Sequence, residues 1–181
     1  MKPFLLIVFF FCRLHLHAQY NSITLNLLND LIQSKSGDST FGYLNRYYPG
    51  GYDHFDWIVR KSKIYDIEKK KTFIRLNNRE RKFIRVQILV NKQKYWTEKL
   101  FTKGELITGE ALGDYVKRYP TRDVYIFSVP IFIKNGSVAL LSILRYVPGS
   151  TNYDYEETAF FKNTKEGWKQ FILTYKSNLI K

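Results

Sequence analysis

Residues 124–146 read VYIFSVPIFIKNGSVALLSILRY, and this stretch decides the fold. Two apolar runs flank the dipeptide Asn135-Gly136, which is the strongest short-range signal for a β-hairpin. The runs, 124–134 and 138–146, are therefore predicted to be neighbouring antiparallel strands. Because Pro130 cannot donate a hydrogen bond to a strand ladder, its strand is expected to lie at an edge or to carry a bulge.

A second hairpin is predicted after this one. Residues 157–162 and 168–175 are rich in β-forming side chains. Lys165-Glu166-Gly167 separates them and suits a tight turn. The C-terminal part of the chain is therefore expected to be a meander of antiparallel strands.

Two helices are predicted outside the strands. From Ser22 to Gln33, leucine and isoleucine recur at helical spacing after a residue that can cap a helix. Leu112, Tyr115 and Val116 share one side of a shorter helix that Pro120 would end. The sequence thus predicts an α+β fold with a largely antiparallel sheet, an N-terminal helix and one further short helix.

The C-terminal third also carries a resemblance to known proteins. Residues 125–132 (YIFSVPIF) are followed by a turn, an apolar strand, a glycine-containing loop and Gly167-Trp168-Lys169. This order resembles the end of small exported proteins of unknown function from Bacteroidota, which implies an envelope location and no particular activity. The last strands are also similar to the cone-shaped fold of nuclear-transport-factor-like domains, the alternative fold, although the strand-rich middle of the chain departs from that family.

The first eighteen residues have the features of a secretory signal peptide. Nine apolar residues, from Phe4 to Cys12, follow a basic residue, and Ala18 suits a cleavage site. The expected product is a single domain of residues 19–181, exported to the periplasm or the medium. Because Cys12 is the only cysteine, this product contains no disulfide and no cysteine nucleophile. No other stretch is long and apolar enough to span a membrane.

The excess positive charge of residues 19–181 is concentrated in one segment. Residues 60–103 contain fifteen Lys or Arg and four Asp or Glu, whereas the rest of 19–181 has twelve of each sign. Like charges crowded together cost folding energy unless something offsets them. This segment is therefore the candidate binding region.

Alternating apolar side chains within the segment predict a hairpin, with strands at 72–76 and 82–90 and a turn at 77–80. It would expose a set of cations and rings, namely Phe73, Arg75, Phe83 and Arg85 on its open face and Arg79, Arg81 and Lys82 at its tip. Such a face can pair with anionic groups while its rings stack on a ligand. The expected partner is an anionic polymer, an anionic surface or an acidic protein, and export argues against nucleic acid. The alternative is a strand edge whose charges prevent aggregation.

A histidine motif supports a different function. His54, the only histidine of residues 19–181, lies between Asp53 and Asp56. A histidine oriented by a carboxylate can move protons, so a small hydrolase of wall or matrix polymer is the alternative function. The same aspartates also suit turn and helix-cap positions.

Two other groups of side chains could act in binding or catalysis. Aromatic residues between 41 and 57 could form a stacking platform, or they could belong to the core: Tyr47, Tyr48, Tyr52 and Trp57. Among three nearby carboxylates, two could act as an acid–base pair, or all three could be ordinary surface charges: Glu105, Glu110 and Asp114.

The sequence favours an exported, non-catalytic module that binds an anionic partner through residues 60–103. It predicts no cofactor and no metal site, because the one histidine of residues 19–181 would need carboxylates to supply the remaining ligands, which favours weakly held hard cations over zinc. The hydrolase alternative requires His54 and a carboxylate to converge in a cleft, which a structure can test.

Overall fold

The computed structural model of the chain describes residues 22–35, 40–45, 51–91, 96, 101, 104–146, 148 and 155–177. The predicted signal peptide lies outside these ranges, as do Tyr47, Tyr48 and the side chain of Tyr52. Export and cleavage therefore stay predictions.

Four helices and nine strands occur within the described residues. In chain order they are α1 (22–35), β1 (Phe41–Leu44), α2 (Gly51–Val59), β2 (Lys63–Tyr65), β3 (Phe73–Arg75), α3 (Asn78–Asn91), β4 (Gly104–Ile107), α4 (Leu112–Arg118), β5 (Val124–Phe127), β6 (Ile131–Ile133), β7 (Val138–Tyr146), β8 (Tyr155–Thr164) and β9 (Gly167–Ser177).

Seven of the strands form one sheet in the order β4-β1-β5-β7-β8-β9, with β6 pairing with β7 as well. β1 runs parallel to both β4 and β5, and the other pairs are antiparallel. β2 and β3 form a separate two-stranded sheet. The predicted α+β fold with a largely antiparallel sheet and an N-terminal helix is confirmed.

The sequence around Pro130 forms two strands rather than one. β5 and β6 both pair with β7, β5 near its C-terminal end and β6 near its start, so the proline occupies the break between them. The turn that follows includes Asn135 and Gly136, which have φ angles of 55° and 82°. Asparagine and glycine tolerate this left-handed region better than other residues, which explains why the hairpin was predictable.

The two faces of the large sheet bury different helices. On β7, alternate residues Ala139, Leu141 and Ile143 pack against α1. Leu140 points to the opposite face, where it packs with α2, α3 and the small sheet, and Leu144 packs there with α4. This period-two alternation fixes the register of the whole sheet because a shift by one residue would exchange the two faces.

The predicted hairpin at 72–90 is wrong in its second half. Residues 82–90 lie in α3, in which Ile84 and Ile88 are buried while Val86 and Val90 are exposed. A spacing of four residues places Ile84 and Ile88 on one helix face, so the same apolar residues fit a helix as well as a strand. Only residues 73–75 are a strand, and they pair with β2.

Two other segments form elements that the sequence analysis does not predict. Residues 41–57 include β1 and most of α2. Residues 104–107 form β4. β1 is buried throughout and lies between two parallel neighbours, so it lacks the alternation by which exposed strands are recognised.

A capping box starts α3. The Asn77 side-chain oxygen accepts from the Glu80 backbone N–H at 2.9 Å, and the Glu80 carboxylate accepts from the Asn77 N–H at 2.8 Å. The four residues 77–80 were predicted to be a hairpin turn, but the Asn-x-x-Glu spacing is typical of a helix start.

Replacing Asn77 with alanine is therefore expected to lower the free energy of unfolding by about 1 kcal/mol, because the Glu80 N–H loses its acceptor. Asn77→Asp, which keeps an acceptor, should cost much less. Urea unfolding of both variants measures the difference. Equal losses in the two variants would show that α3 does not depend on this cap.

The small sheet is fastened to the outer edge of β9 through Asp66. Its buried carboxylate accepts from the Leu173 N–H at 2.7 Å and from the Glu68 N–H at 2.9 Å, and it also contacts the Lys69 N–H. The Ile67 N–H donates to the Leu173 carbonyl at 2.9 Å. These bonds hold the β2–β3 hairpin in a fixed position beside the large sheet.

Candidate functional site

The outer face of the β2–β3 hairpin carries two cations and two aromatic rings. Ile64 and Ile74 are paired across the hairpin and buried beneath it. Because successive strand residues point to opposite faces, their neighbours point outward. The outward residues form two cross-strand pairs, Lys63 with Arg75 and Tyr65 with Phe73. These four residues are called the cation–aromatic quartet below.

Within the cation–aromatic quartet, one ammonium group contacts both rings. Lys63 Nζ lies 3.9 Å from the Phe73 ring centroid and 4.7 Å from that of Tyr65. The two rings are 5.7 Å apart, and the Arg75 guanidinium carbon is 5.8 Å from the Phe73 centroid. Tyr65 is 49% exposed and Phe73 is 40% exposed, so a ligand can reach the rings and the cations together.

The pairing of Lys63 with Arg75 has an energetic cost. Like charges directly opposite each other on an antiparallel pair destabilise a sheet. The attraction of Lys63 to the two ring faces offsets part of this cost. An anionic ligand would remove the rest.

Helices α2 and α3 extend the cationic surface beyond the hairpin. Arg85 Nη2 lies 3.5 Å from the Val59 carbonyl oxygen at the end of α2. Lys61 lies over the Trp57 ring at 5.8 Å, and that ring is 49% exposed. The N-terminus of α3, where the helix dipole is positive, adds to the potential.

The acidic residues of this region do not neutralise it. Residues 60–91 contain eleven Lys or Arg and three Asp or Glu. Glu80 pairs with Lys134 at 2.8 Å and Glu68 with Lys176 at 3.4 Å, and neither lysine belongs to the segment. The third acid, Asp66, is bonded to backbone N–H groups. Over the described ranges, no carboxylate forms an ion pair with the cations Arg75, Arg79, Lys82 or Arg85.

The structure brings together only part of the predicted binding face. Phe73 and Arg75 share the outer face of β3, as expected, whereas the other five predicted residues lie on α3: Arg79, Arg81, Lys82, Phe83 and Arg85. The Arg81 guanidinium bonds to the Asn78 side chain and is partly buried, so it is less available to a ligand.

Sequence reasoning missed Lys63 and Tyr65, which complete the cation–aromatic quartet. A local signal for them exists, since in Lys63-Ile64-Tyr65 one apolar residue stands between two amphipathic ones. Their partners on β3 had been assigned to residues 82–90, so this short strand had no predicted neighbour.

His54 contacts a carboxylate that the sequence did not suggest. His54 Nε2 lies 3.0 Å from Glu156 Oε1 on β8, and the imidazole stacks on Tyr175 at 3.7 Å between ring centroids. Its contacts in the described parts of the chain do not include Asp53 or Asp56, which lie on other sides of α2. The pair can orient the imidazole, as a histidine–carboxylate pair does in an enzyme.

In the described ranges, the contacts of His54 include no serine, threonine or lysine side chain. Thr158, on the same face of β8 as Glu156, is fully buried with its hydroxyl oxygen 2.5 Å from that of Ser142. A groove of about 490 Å³ lies between α1 and the β8–β9 turn, and His54 is not part of its lining.

The three predicted carboxylates are all exposed and lie on β4, before α4 and in α4: Glu105, Glu110 and Asp114.

A buried tyrosine is likewise structural. Burial, reinforced by the nearby Asp123 carboxylate, raises the pKa of Tyr125 to about 12. Asp123 itself pairs with Arg145 at 2.9 Å. Burial and the Asp123 carboxylate therefore both favour the protonated phenol of Tyr125.

Comparisons with protein-family models, with curated proteins and with solved structures find no match to this chain. Over the described ranges, no cluster of three or more His, Cys, Asp or Glu side chains could hold a metal ion. In the same residues, the helices are too short or too polar to cross a membrane.

Proposed function

We propose that this chain is an exported, non-catalytic module that binds a partner carrying repeated anionic groups, namely an anionic glycan, an anionic surface or an acidic protein. One observation carries the proposal: the cation–aromatic quartet places Lys63 and Arg75 beside two exposed rings on a rigid hairpin. Cations bind phosphate, sulfate or carboxylate groups, and the rings stack on the flat faces of sugars or similar groups.

The rigidity of the hairpin supports a binding role. Asp66 and Ile67 bond it to β9, so the backbone of the hairpin requires little ordering when a ligand binds. Placing Lys63 opposite Arg75 costs stability in the free protein, and an anionic ligand would reduce this cost. A charged face that serves only solubility would not require the two cations to be paired.

The proposal is tested with purified protein and three polymers, which are polyphosphate, heparin and uncharged dextran. Polyphosphate and heparin should bind at low salt, and their affinities should fall steeply as salt rises because bound counterions are released. Dextran should not bind. A failure of both polyanions to bind at low salt would overturn the proposal.

His54→Ala separates this function from the hydrolase alternative. Because His54 contacts Tyr175 and Glu156 and not the cation–aromatic quartet, the variant should bind polyphosphate as the native protein does. Activity of the native protein on a wall or matrix polymer that His54→Ala abolishes in a folded state would favour the hydrolase.

A further inference from the structure

Helix α3 exposes two chemically different halves on its outward side. Ile84 and Ile88 face the core. On the opposite side, the first turns carry the cations Arg79 and Lys82, with Arg85 beside them toward α2, and the last turns carry a second group, of aliphatic side chains: Val86, Leu89 and Val90. The second group is called the α3 apolar stripe below.

The α3 apolar stripe is unusually open to solvent. Leu89 is 72% exposed, Val90 is 53% exposed and Val86 is 46% exposed. Single exposed aliphatic residues are ordinary on protein surfaces, but adjacent ones on consecutive helix turns form a patch that favours an apolar environment. The patch lies on the outward surface of a helix, so it can enter a soft medium without a preformed pocket.

The charges near the α3 apolar stripe indicate which kind of partner can cover it. A second copy of this chain packed stripe to stripe would offer no anionic partner to Arg79, Lys82 and Arg85, because the only carboxylate of α3, Glu80, is paired with Lys134. An anionic bilayer offers the opposite arrangement, with phosphates at the level of the cations and acyl chains immediately beneath. Exposed Trp57 and Tyr65 on neighbouring elements have the amphipathic rings that accumulate at such interfaces.

From this arrangement we infer that α3 is an interfacial helix that binds the surface of a bilayer containing anionic lipid. The C-terminal half enters the headgroup region through the α3 apolar stripe, and the N-terminal half holds lipid phosphates with Arg79, Lys82 and Arg85. This inference rests on the proposed function, since it names an anionic lipid surface as the partner of the cationic region. Because the cations and the aliphatic side chains occupy different halves of α3, the helix axis is tilted relative to the plane of the bilayer.

The test uses cosedimentation with vesicles of phosphatidylcholine alone and of phosphatidylcholine mixed with phosphatidylglycerol. The native protein should bind the mixed vesicles and not the neutral ones. The double variant Leu89→Gln and Val90→Gln should bind mixed vesicles about tenfold or more weakly, because two apolar side chains no longer leave water. Both sites are exposed and glutamine is a good helix former, so the variant should fold as the native protein does. Leu89→Met, which keeps the apolar surface, is the matched control and should bind as the native protein does.

Polyphosphate binding, measured in parallel, distinguishes the lipid inference from the proposed function. The glutamine variant should retain it within about twofold, because the cations are unchanged. Native protein that binds polyphosphate but no vesicles would overturn the lipid inference and leave the proposed function standing. Equal vesicle binding by the glutamine and native proteins would also overturn it, as would a dimer that the glutamine variant dissociates. A native protein that binds neither probe would overturn both.

Discussion

Replacing Asp66 with alanine is expected to lower the free energy of unfolding by about 2 to 4 kcal/mol, the largest single effect on stability considered for this chain. The buried carboxylate bonds to the backbone N–H groups of Leu173, Glu68 and Lys69. Removing it leaves several donors unpaired at the junction between the small sheet and β9. The loss is measured by urea unfolding.

The same contacts predict a dependence of stability on pH. Burial opposes ionisation of Asp66, but the backbone N–H groups outweigh it and hold the pKa below its usual value of 3.8. The unfolded chain therefore takes up the proton at a higher pH than the folded chain does. The stabilisation is present above the usual pKa and is lost as the pH falls through the lowered one. Asp66→Asn should flatten this part of the acid unfolding profile.

A matched control for Asp66 is Asp114→Ala, because Asp114 is exposed in the first turn of α4. It should change the free energy of unfolding by less than about 0.5 kcal/mol. If Asp66→Ala changes the free energy of unfolding as little as this control does, water bonds to the freed N–H groups at the junction. The position of the hairpin would then not depend on the carboxylate.

The parts of the fold predicted correctly from sequence are those that local chemistry specifies. Asn135-Gly136 and Gly167 require turns, and the runs beside them have strand periodicity over enough residues to be unambiguous. The first helix is predictable because leucines recur along one face. These features depend on residues that are close in sequence.

The middle of the chain could not be predicted in this way because its strands are short and its partners distant. Ile84 and Ile88 fit two periodicities, and only the Asn77–Glu80 cap distinguishes a helix from a strand. β1 and β4 pair in parallel across some sixty residues, a contact that no local pattern indicates. The cationic character of the region was evident from composition, whereas its geometry was not.

In the candidate site, too, some residues are predictable from local sequence and others depend on distant partners. Phe73 and Arg75 were recognised because rings and cations alternate there. Lys63 and Tyr65 were missed because their role arises only when β2 pairs with β3. The partner of His54 was missed for a similar reason, since Glu156 is 102 residues away in the chain.

Charge reversal in the cation–aromatic quartet is the second prediction with a large expected effect. Lys63→Glu with Arg75→Glu should weaken polyphosphate binding about 100-fold at physiological salt. Two attractive contacts become repulsive at the centre of the surface, and screening over about 8 Å at physiological salt prevents distant cations from compensating. Both side chains point outward, and the substitutions exchange one pair of opposed like charges for another, so the fold should persist.

The most direct measurement of the central claim is a parallel polyphosphate titration of the native protein, this variant and a charge-matched control. The control, Lys117→Glu with Arg118→Glu, makes the same change in net charge on exposed residues of α4, which packs against a different part of the sheet. We expect the dissociation constant to rise about 100-fold for the Lys63 and Arg75 variant and less than about threefold for the control. Equal losses in the two folded variants would contradict the account, because diffuse net charge rather than the cation–aromatic quartet would then set the attraction.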